Sequence, residues 1–521
     1  MTVVPIHPNA IRVPAVASRP TAWSTRPCHP AVPVVLSIVG VLAIALALRF
    51  YKLGAWAFWG DELVTFYDSQ MLWTQPYWSP TGYINPHEQF IHAWPLGFWL
   101  LGLWHDAVGT SELLCRMPLA LCSALAVTIS VWFTYRLRGP WVAAALAALL
   151  TAWPWHLFHA QNHRPYSMSY LVAAIGFVLA DAAFVRRKPI YIAWAGLVLT
   201  AASLIHNSVA ILLGMLIGWQ VLLTIVDRRH WKPVHLTALI PAVLGLVLVV
   251  GLVRHFSGQF MDGAWWRMSP AHSVASLVFN LGWPVTLVMT GAGVWMIAGK
   301  RREWMWPLAC SVGLVAACYI GPMVMSFRPD YVFSASLPLH LVAAGGIGAV
   351  GRHLWRTSRW AGLGAVLAIP VLTLPSIASY YVDGDRPDFR AAVESIRADV
   401  RPDDVIWSSQ CVNVRHYIPQ PKAQPIPNDQ VTATDALLAE GKRVWCLINY
   451  STAGIPPDHL AWLKQRFRLV SEVGRLRYDY HQNRVGIFLA EPSAIPSRID
   501  TGRTAGEIHV SNLTATLLLI D

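Results

Sequence analysis

Eleven apolar runs, each close to the length of a membrane-crossing helix, constrain this 521-residue chain more than any other feature. They fall at 32–50, 116–135, 141–157, 167–185, 190–205, 209–226, 236–253, 274–298, 304–325, 332–350 and 360–381. A helix needs about 20 mostly apolar residues to cross a bilayer. Within lipid, each backbone N–H and C=O must be satisfied inside its own segment, so runs of this kind predict an all-α bundle. Composition agrees: 55% of residues are hydrophobic and 13% charged, against about a quarter charged in soluble domains. The 26 tryptophans suit headgroup regions, where one ring can be half apolar and half wet.

The basic residues set an orientation. Residues 1–31 hold Arg12, Arg19 and Arg26 and no acid. That tail is too long and Pro-rich for a signal n-region, and it reads as cytoplasmic, with the first run as an anchor. Alternate loops then carry Arg136 and Arg138; Arg186, Arg187 and Lys188; Arg228, Arg229 and Lys232; Lys300, Arg301 and Arg302; and Arg352, Arg356 and Arg359. The intervening loops hold few bases, chiefly Arg164, Arg254, Arg267 and Arg328. Bases collect on the cytoplasmic side. The pattern predicts an odd number of spans, an external C-terminus, and a +12 net charge that reflects membrane topology rather than nucleic-acid binding. Residues 90–104, with His92, Trp94, Pro95, Trp99 and Trp104, are too short to span. They read as a helix in the outer interface, inside a first external loop of 51–115.

From 383 the chain turns polar. Residues 383–521 read as a small extracytoplasmic α/β domain with a loose tail. Helices are expected at 389–400 and 457–468, and strands at 403–408, 443–449 and 484–489. The 32–382 segment is then the membrane domain. Cys115, Cys122, Cys310 and Cys318 read as buried thiols, while Cys411 and Cys446 could pair if their domain lies outside the cytoplasm.

The chemistry-bearing residues fall in the external loops. Trp59-Gly60-Asp61-Glu62 follows the first run, with Asp68, Asn85, His87 and Glu88 further along the same loop. A second loop reads His159-Ala160-Gln161-Asn162-His163-Arg164-Pro165-Tyr166, and a later one Phe327-Arg328-Pro329-Asp330-Tyr331; His206 and Asn207 close another span on that side. A carboxylate there can deprotonate a hydroxyl, and a cation can stabilise a departing phosphate. This suits a lipid-linked phosphate whose chain lies in the bilayer. The bland alternatives are a helix cap for Asp61, interfacial anchors for Arg164 and Arg328, and a packing hydrogen-bonder for His340. A transporter or flippase of a lipid-linked precursor would place ionisable groups at mid-membrane. The spans hold few, chiefly Asp181 and His340.

From Arg49 to Tyr170 the chain resembles the GT-C glycosyltransferases of family 39: protein O-mannosyltransferases, aminoarabinose transferases and lipopolysaccharide-core transferases. The matching residues are Asp61-Glu62 after the first span; Asn85-Pro86-His87 at a His-Pro-Pro-like position; Gly109-Thr110-Ser111-Glu112 with Arg116-Met117-Pro118; and Gln161-Asn162-His163-Arg164-Pro165-Tyr166-Ser167. Arg328, Tyr331 and Leu337-Pro338 follow in the same order. The resemblance implies Asp61 as catalytic base, with Glu62 as a second acid. The resemblance leaves substrate contacts to the polar residues of the external loops, expected from His87, Glu88, Arg164, Tyr166, Arg328 and His206. It also implies a polyprenyl-phosphate sugar donor used with inversion on the outer side of an inner (plasma) membrane. The acceptor would be a glycolipid, polysaccharide or protein of the envelope; membrane lipids would be partners and nucleic acid would not. Asn85 and Asn162 replace a His and an acid of the family pattern. No metal is therefore expected to be required, although a divalent ion remains compatible. The same departures keep open a catalytically silent binding protein.

Overall fold

A computed structural model describes residues 32–71, 95–227, 231–256, 269–299, 301–324, 327, 329–450, 457–474 and 484–492. The helices in order are α1 (Val32–Phe50), α2 (Gly60–Met71), α3 (Pro95–Val108), α4 (Glu112–Arg138), α5 (Pro140–Thr151), α6 (Pro154–Ala160), α7 (Tyr166–Arg186), α8 (Pro189–Ile205), α9 (Ala210–Val226), α10 (Pro233–Thr237), α11 (Ile240–Phe256), α12 (Pro270–Leu281), α13 (Trp283–Ala298), α14 (Met305–Val324), α15 (Leu337–Trp355) and α16 (Arg359–Asp383). Proline starts explain much of the punctuation. Pro140, Pro154, Pro189, Pro233, Pro270, Pro284 and Pro338 each occupy a first-turn position, where the missing N–H costs nothing. Ser111 caps α4 through the Leu114 N–H.

Among the described residues, seven helical stretches are long and apolar enough to cross a membrane, and three bent pairs raise the number to ten. The chain is a multi-pass membrane protein. The expected run at 190–205 forms α8, whose 17 residues are shorter than those stretches. Three runs read as continuous are broken: α5–α6 bends by 59°, α12–α13 by 100°, and a 3-10 turn (Pro329–Ala335) meets α15 at 70°. The sharpest break has a local cause. Gly282 adopts φ +75°, and a Cβ there would meet the Trp153 ring at 2.9 Å, while Pro284 starts the next helix. The expected single span at 274–298 is therefore two helices. Residues 95–104 of the expected interfacial helix belong to α3, and 90–94 lie outside the described residues. Of the seven unbroken spans, α7 and α4 are the most buried and α1 the least. Arg49, buried in α1, has no acid partner among the described residues; it donates to the carbonyls of Leu150 and Thr151, at the C-terminus of α5, and to Ser123 Oγ at 2.7 Å.

Beyond α16 the chain forms α17 (Phe389–Ile396), β1 (Val405–Ser408), α18 (Cys411–Tyr417), β2 (Gln424–Pro425), α19 (Gln430–Ala439), β3 (Val444–Asn449), α20 (Pro457–Arg466), β4 (Arg468–Val473) and β5 (Val485–Ala490). The sheet order is β2-β1-β3-β5-β4. β1 runs parallel to β2 and β3, and β5 runs antiparallel to β3 and β4. β3 and β5 are buried along their whole lengths, so both read as unbroken apolar runs. One face packs on α17 and α18 through Phe389, Val393 and Val414. The other packs on Trp462, Leu463 and Phe467. Cys411 belongs to the first face and Cys446 to the second. No disulfide joins them, contrary to the pairing the sequence left open.

Candidate active site

The expected acids sit in the first turn of α2, and their environments are opposite. Glu62 is fully buried. Arg116, from the start of α4, grips it with Nε to Oε1 at 2.8 Å and Nη2 to Oε2 at 2.7 Å. Arg386, just past α16, donates to Oε2 at 3.1 Å, and the His163 N–H donates to Oε1 at 2.6 Å. Burial alone would raise the Glu62 pKa; the two guanidinia outweigh it and lower the value to about 2. Arg116 spends its remaining donors on the carbonyls of Leu53, Trp56 and Ala57, and Arg386 reaches the Gln161 carbonyl at 3.1 Å. One carboxylate thus joins the segment after α1, α4, the α6–α7 loop and the segment after α16.

Asp61 is only partly buried. Its side-chain carboxylate accepts no hydrogen bond among the described residues, while its backbone carbonyl takes Thr65 Oγ1 at 3.1 Å and Arg164 Nη1 at 3.4 Å. Arg164 also donates to Thr65 Oγ1 at 2.9 Å, and its Nε is buried without a partner among the described residues. Burial would lower the Arg164 pKa, but the nearby Asp61 charge prevails and raises it, so the guanidinium stays charged. The second-loop cation and the acid after the first span therefore share one end of the bundle.

Tyr166 and His206 line the same neighbourhood, their rings 4.4 Å apart. His206 Nδ1 lies 2.8 Å from Ser208 Oγ. Burial, then the Arg164 charge, lowers the His206 pKa to about 3 and leaves the ring neutral. His87, Glu88 and Arg328 lie outside the described residues, as does Asn85. Asn162, at the position of a family acid, accepts from Trp59 Nε1 at 3.3 Å. Gln161 ties the loop to α1, donating to the carbonyls of Arg49 and Tyr51 and accepting from Tyr380 Oη at 2.7 Å.

Sequence reasoning passed over the contribution of the sheet domain. Tyr417 Oη accepts from the Phe58 N–H at 2.7 Å and donates to Glu112 Oε1 at 2.6 Å. Asn413 donates to the Phe58 carbonyl at 3.1 Å, Tyr67 Oη meets His416 Nδ1 at 2.8 Å, and Arg390 bridges Glu112 and the Ala55 carbonyl, both at 2.5 Å. The domain is fastened onto the loop that carries Asp61.

Most of the chain can be laid over solved structures. Against the crystal structure of ArnT from Cupriavidus metallidurans in the apo state, the TM-score is 0.56 at 15% identity, covering 88% of this chain and 98% of that one. Against ArnT from the same organism bound to undecaprenyl phosphate it is 0.54 at 14% identity, covering 89% and 99%. The chain has the GT-C fold. No protein-family model matches it, and no curated protein sequence does either.

Proposed function

We propose that this chain is a membrane glycosyltransferase that moves a sugar from a polyprenyl phosphate to a hydroxyl of an envelope acceptor, with inversion. The observation that carries the reading is the pairing of Asp61, its carboxylate uncommitted, with the charged Arg164 at one end of a bundle folded like ArnT. The acceptor oxygen attacks the anomeric carbon from the face opposite the phosphate. Its proton passes to the Asp61 carboxylate. The bond from the anomeric carbon to the phosphate oxygen breaks with its electron pair, and the Arg164 Nε–H, which has no partner, receives the departing anion. From sequence alone, Arg328 is assigned the same task, and His87 and Glu88 are assigned to the acceptor side. Tyr166 and His206 form wall.

Glu62 takes a positioning role in place of the second catalytic acid expected from sequence: both of its oxygens are already held, and it is sealed from solvent. The motif order places the chain beside family 39. The bundle end with Asp61 faces outward in an inner membrane, with the N-terminus cytoplasmic and the sheet domain outside. The Arg138, Arg186 and Arg301 loops then face the cytoplasm.

The test is to incubate the purified chain with a polyprenyl-phosphate sugar and to measure free polyprenyl phosphate as envelope acceptors are added. Acceptor-dependent release is expected. Movement of intact donor across vesicles without release would make the protein a flippase and overturn the reading.

A further inference from the structure

Three side chains that the proposed reaction does not use converge beside α2. His105 near the end of α3, Cys115 in the first turn of α4 and His163 in the α6–α7 loop each offer one ligand atom, and these atoms all lie within 4.8 Å of one another. All three residues are buried, His163 and Cys115 completely and His105 to 3% exposure. The two imidazole rings are 5.0 Å apart.

The hydrogen bonds fix both tautomers. His163 Nδ1 lies 2.9 Å from the Cys115 backbone carbonyl. A carbonyl only accepts, so Nδ1 carries the proton and Nε2 presents a bare lone pair. His105 Nδ1 lies 3.2 Å from Ser69 Oγ, and the one proton of that hydroxyl goes to the Phe66 carbonyl at 3.0 Å. The ring must therefore donate, and its Nε2 is bare too. Neither Nε2 has a hydrogen-bond partner among the described residues. Leaving a buried acceptor unsatisfied costs about 1–3 kcal/mol. The Cys115 thiol of the same cluster has one proton to share between two rings. One cation would serve all three groups.

We propose that His105, Cys115 and His163 bind a single thiophilic d10 cation, Zn(II) or Cu(I). Thiolate and imidazole select these ions, whereas Mg(II), Ca(II) and Mn(II) need oxygen ligands. The supporting shell is already in place, since each Nδ1–H donates to an oxygen, and that orients a metal-binding imidazole. Binding displaces the thiol proton and forms one metal–sulfur and two metal–nitrogen bonds. The ion would staple α3, α4 and the loop preceding Arg164, the loop whose His163 N–H also holds Glu62. Asp61 takes no part in this set, so the site stands or falls independently of sugar transfer.

The experiment uses the full chain, purified in detergent without chelators, with metal measured by mass spectrometry and coordination by X-ray absorption. The expected result is about one zinc or copper per chain, falling to background in Cys115→Ser and His105→Ala. The absorption edge distinguishes the two ions, and a zinc form shows sulfur at about 2.3 Å with nitrogen at about 2.0–2.1 Å. Because the variants can fail to fold, wild-type protein decides alone: it is stripped with chelator and reloaded with Zn(II), or with Cu(I) under reducing conditions. Wild-type protein that takes up neither ion, or holds one without a sulfur neighbour, overturns the proposal, and so does a folded Cys115→Ser chain with full metal content.

Discussion

α4 carries a buried arginine near each end, Arg116 and Arg138, ~33 Å apart at ~1.5 Å per residue. At one end Arg138 pairs one to one with Asp181, lies over the Trp304 ring and reaches the Glu303 carbonyl at 3.2 Å. That arrangement ties α4 to α7 and to the segment before α14, and it is complete in itself. At the other end Glu62 is shared between Arg116 and Arg386. These groups come from three distant parts of the sequence, and the residue just before Glu62, Asp61, leaves its carboxylate uncommitted among the described residues. An unpartnered Nε occurs at both ends, on Arg138 and on Arg164, so the contrast rests on the carboxylate. One end is only held together; the other is held together so that one acid can stay available.

Breaking the shared hub should have the largest effect. Glu62→Gln leaves two buried guanidinia under-compensated, and truncating one member of a buried pair costs about 3–5 kcal/mol. Thermal unfolding in detergent should show it, together with loss of transfer as the α6–α7 loop loosens; a variant as stable as wild type would remove the hub's role.

Acid should dissect the same hub by a slightly smaller amount. The folded pKa of Glu62 is lowered from the model-peptide 4.5 to about 2. Its contribution, about 3 kcal/mol at most, is therefore fully present above pH 4.5 and is lost as pH falls through 2. Stability measured across that window should decline in wild type and lose this component in Glu62→Gln.

The opposite end should respond least. Replacing both members, Arg138→Met with Asp181→Leu, removes charge and counter-charge together. The stability change should stay within about 1 kcal/mol, with transfer unchanged. The corresponding double replacement at the hub cannot be neutral, because Arg386 and the His163 N–H would remain. A transfer defect in the Arg138/Asp181 double variant would erase the distinction between the two ends.

The architecture was legible wherever a signal repeats along the chain. Hydropathy located the bundle, and short apolar runs located β1, β3 and β5. It failed where one residue decides: Gly282 and Pro284 break a run whose hydropathy is continuous. The acid pair after α1 was legible in the sequence, but the opposite environments of its two members were not, because Arg116 and Glu62 are 54 positions apart and Arg386 and Glu62 are 324 apart. A hint was present in Arg116 itself. A guanidinium at the opening of an apolar run needs a counter-charge, and the acid pair Asp61-Glu62 belongs to the same external loop. Nothing comparable linked His105, Cys115 and His163, whose meeting depends on how α3, α4 and the second loop pack.

The most direct measurement is single-turnover transfer by Asp61→Asn protein that keeps wild-type thermal stability. Removing the base from an otherwise intact hub should slow transfer by about 10²–10⁴-fold while donor binding persists. Transfer near the wild-type rate would mean that another group takes the acceptor proton, and the division of roles between Asp61 and Glu62 would be wrong.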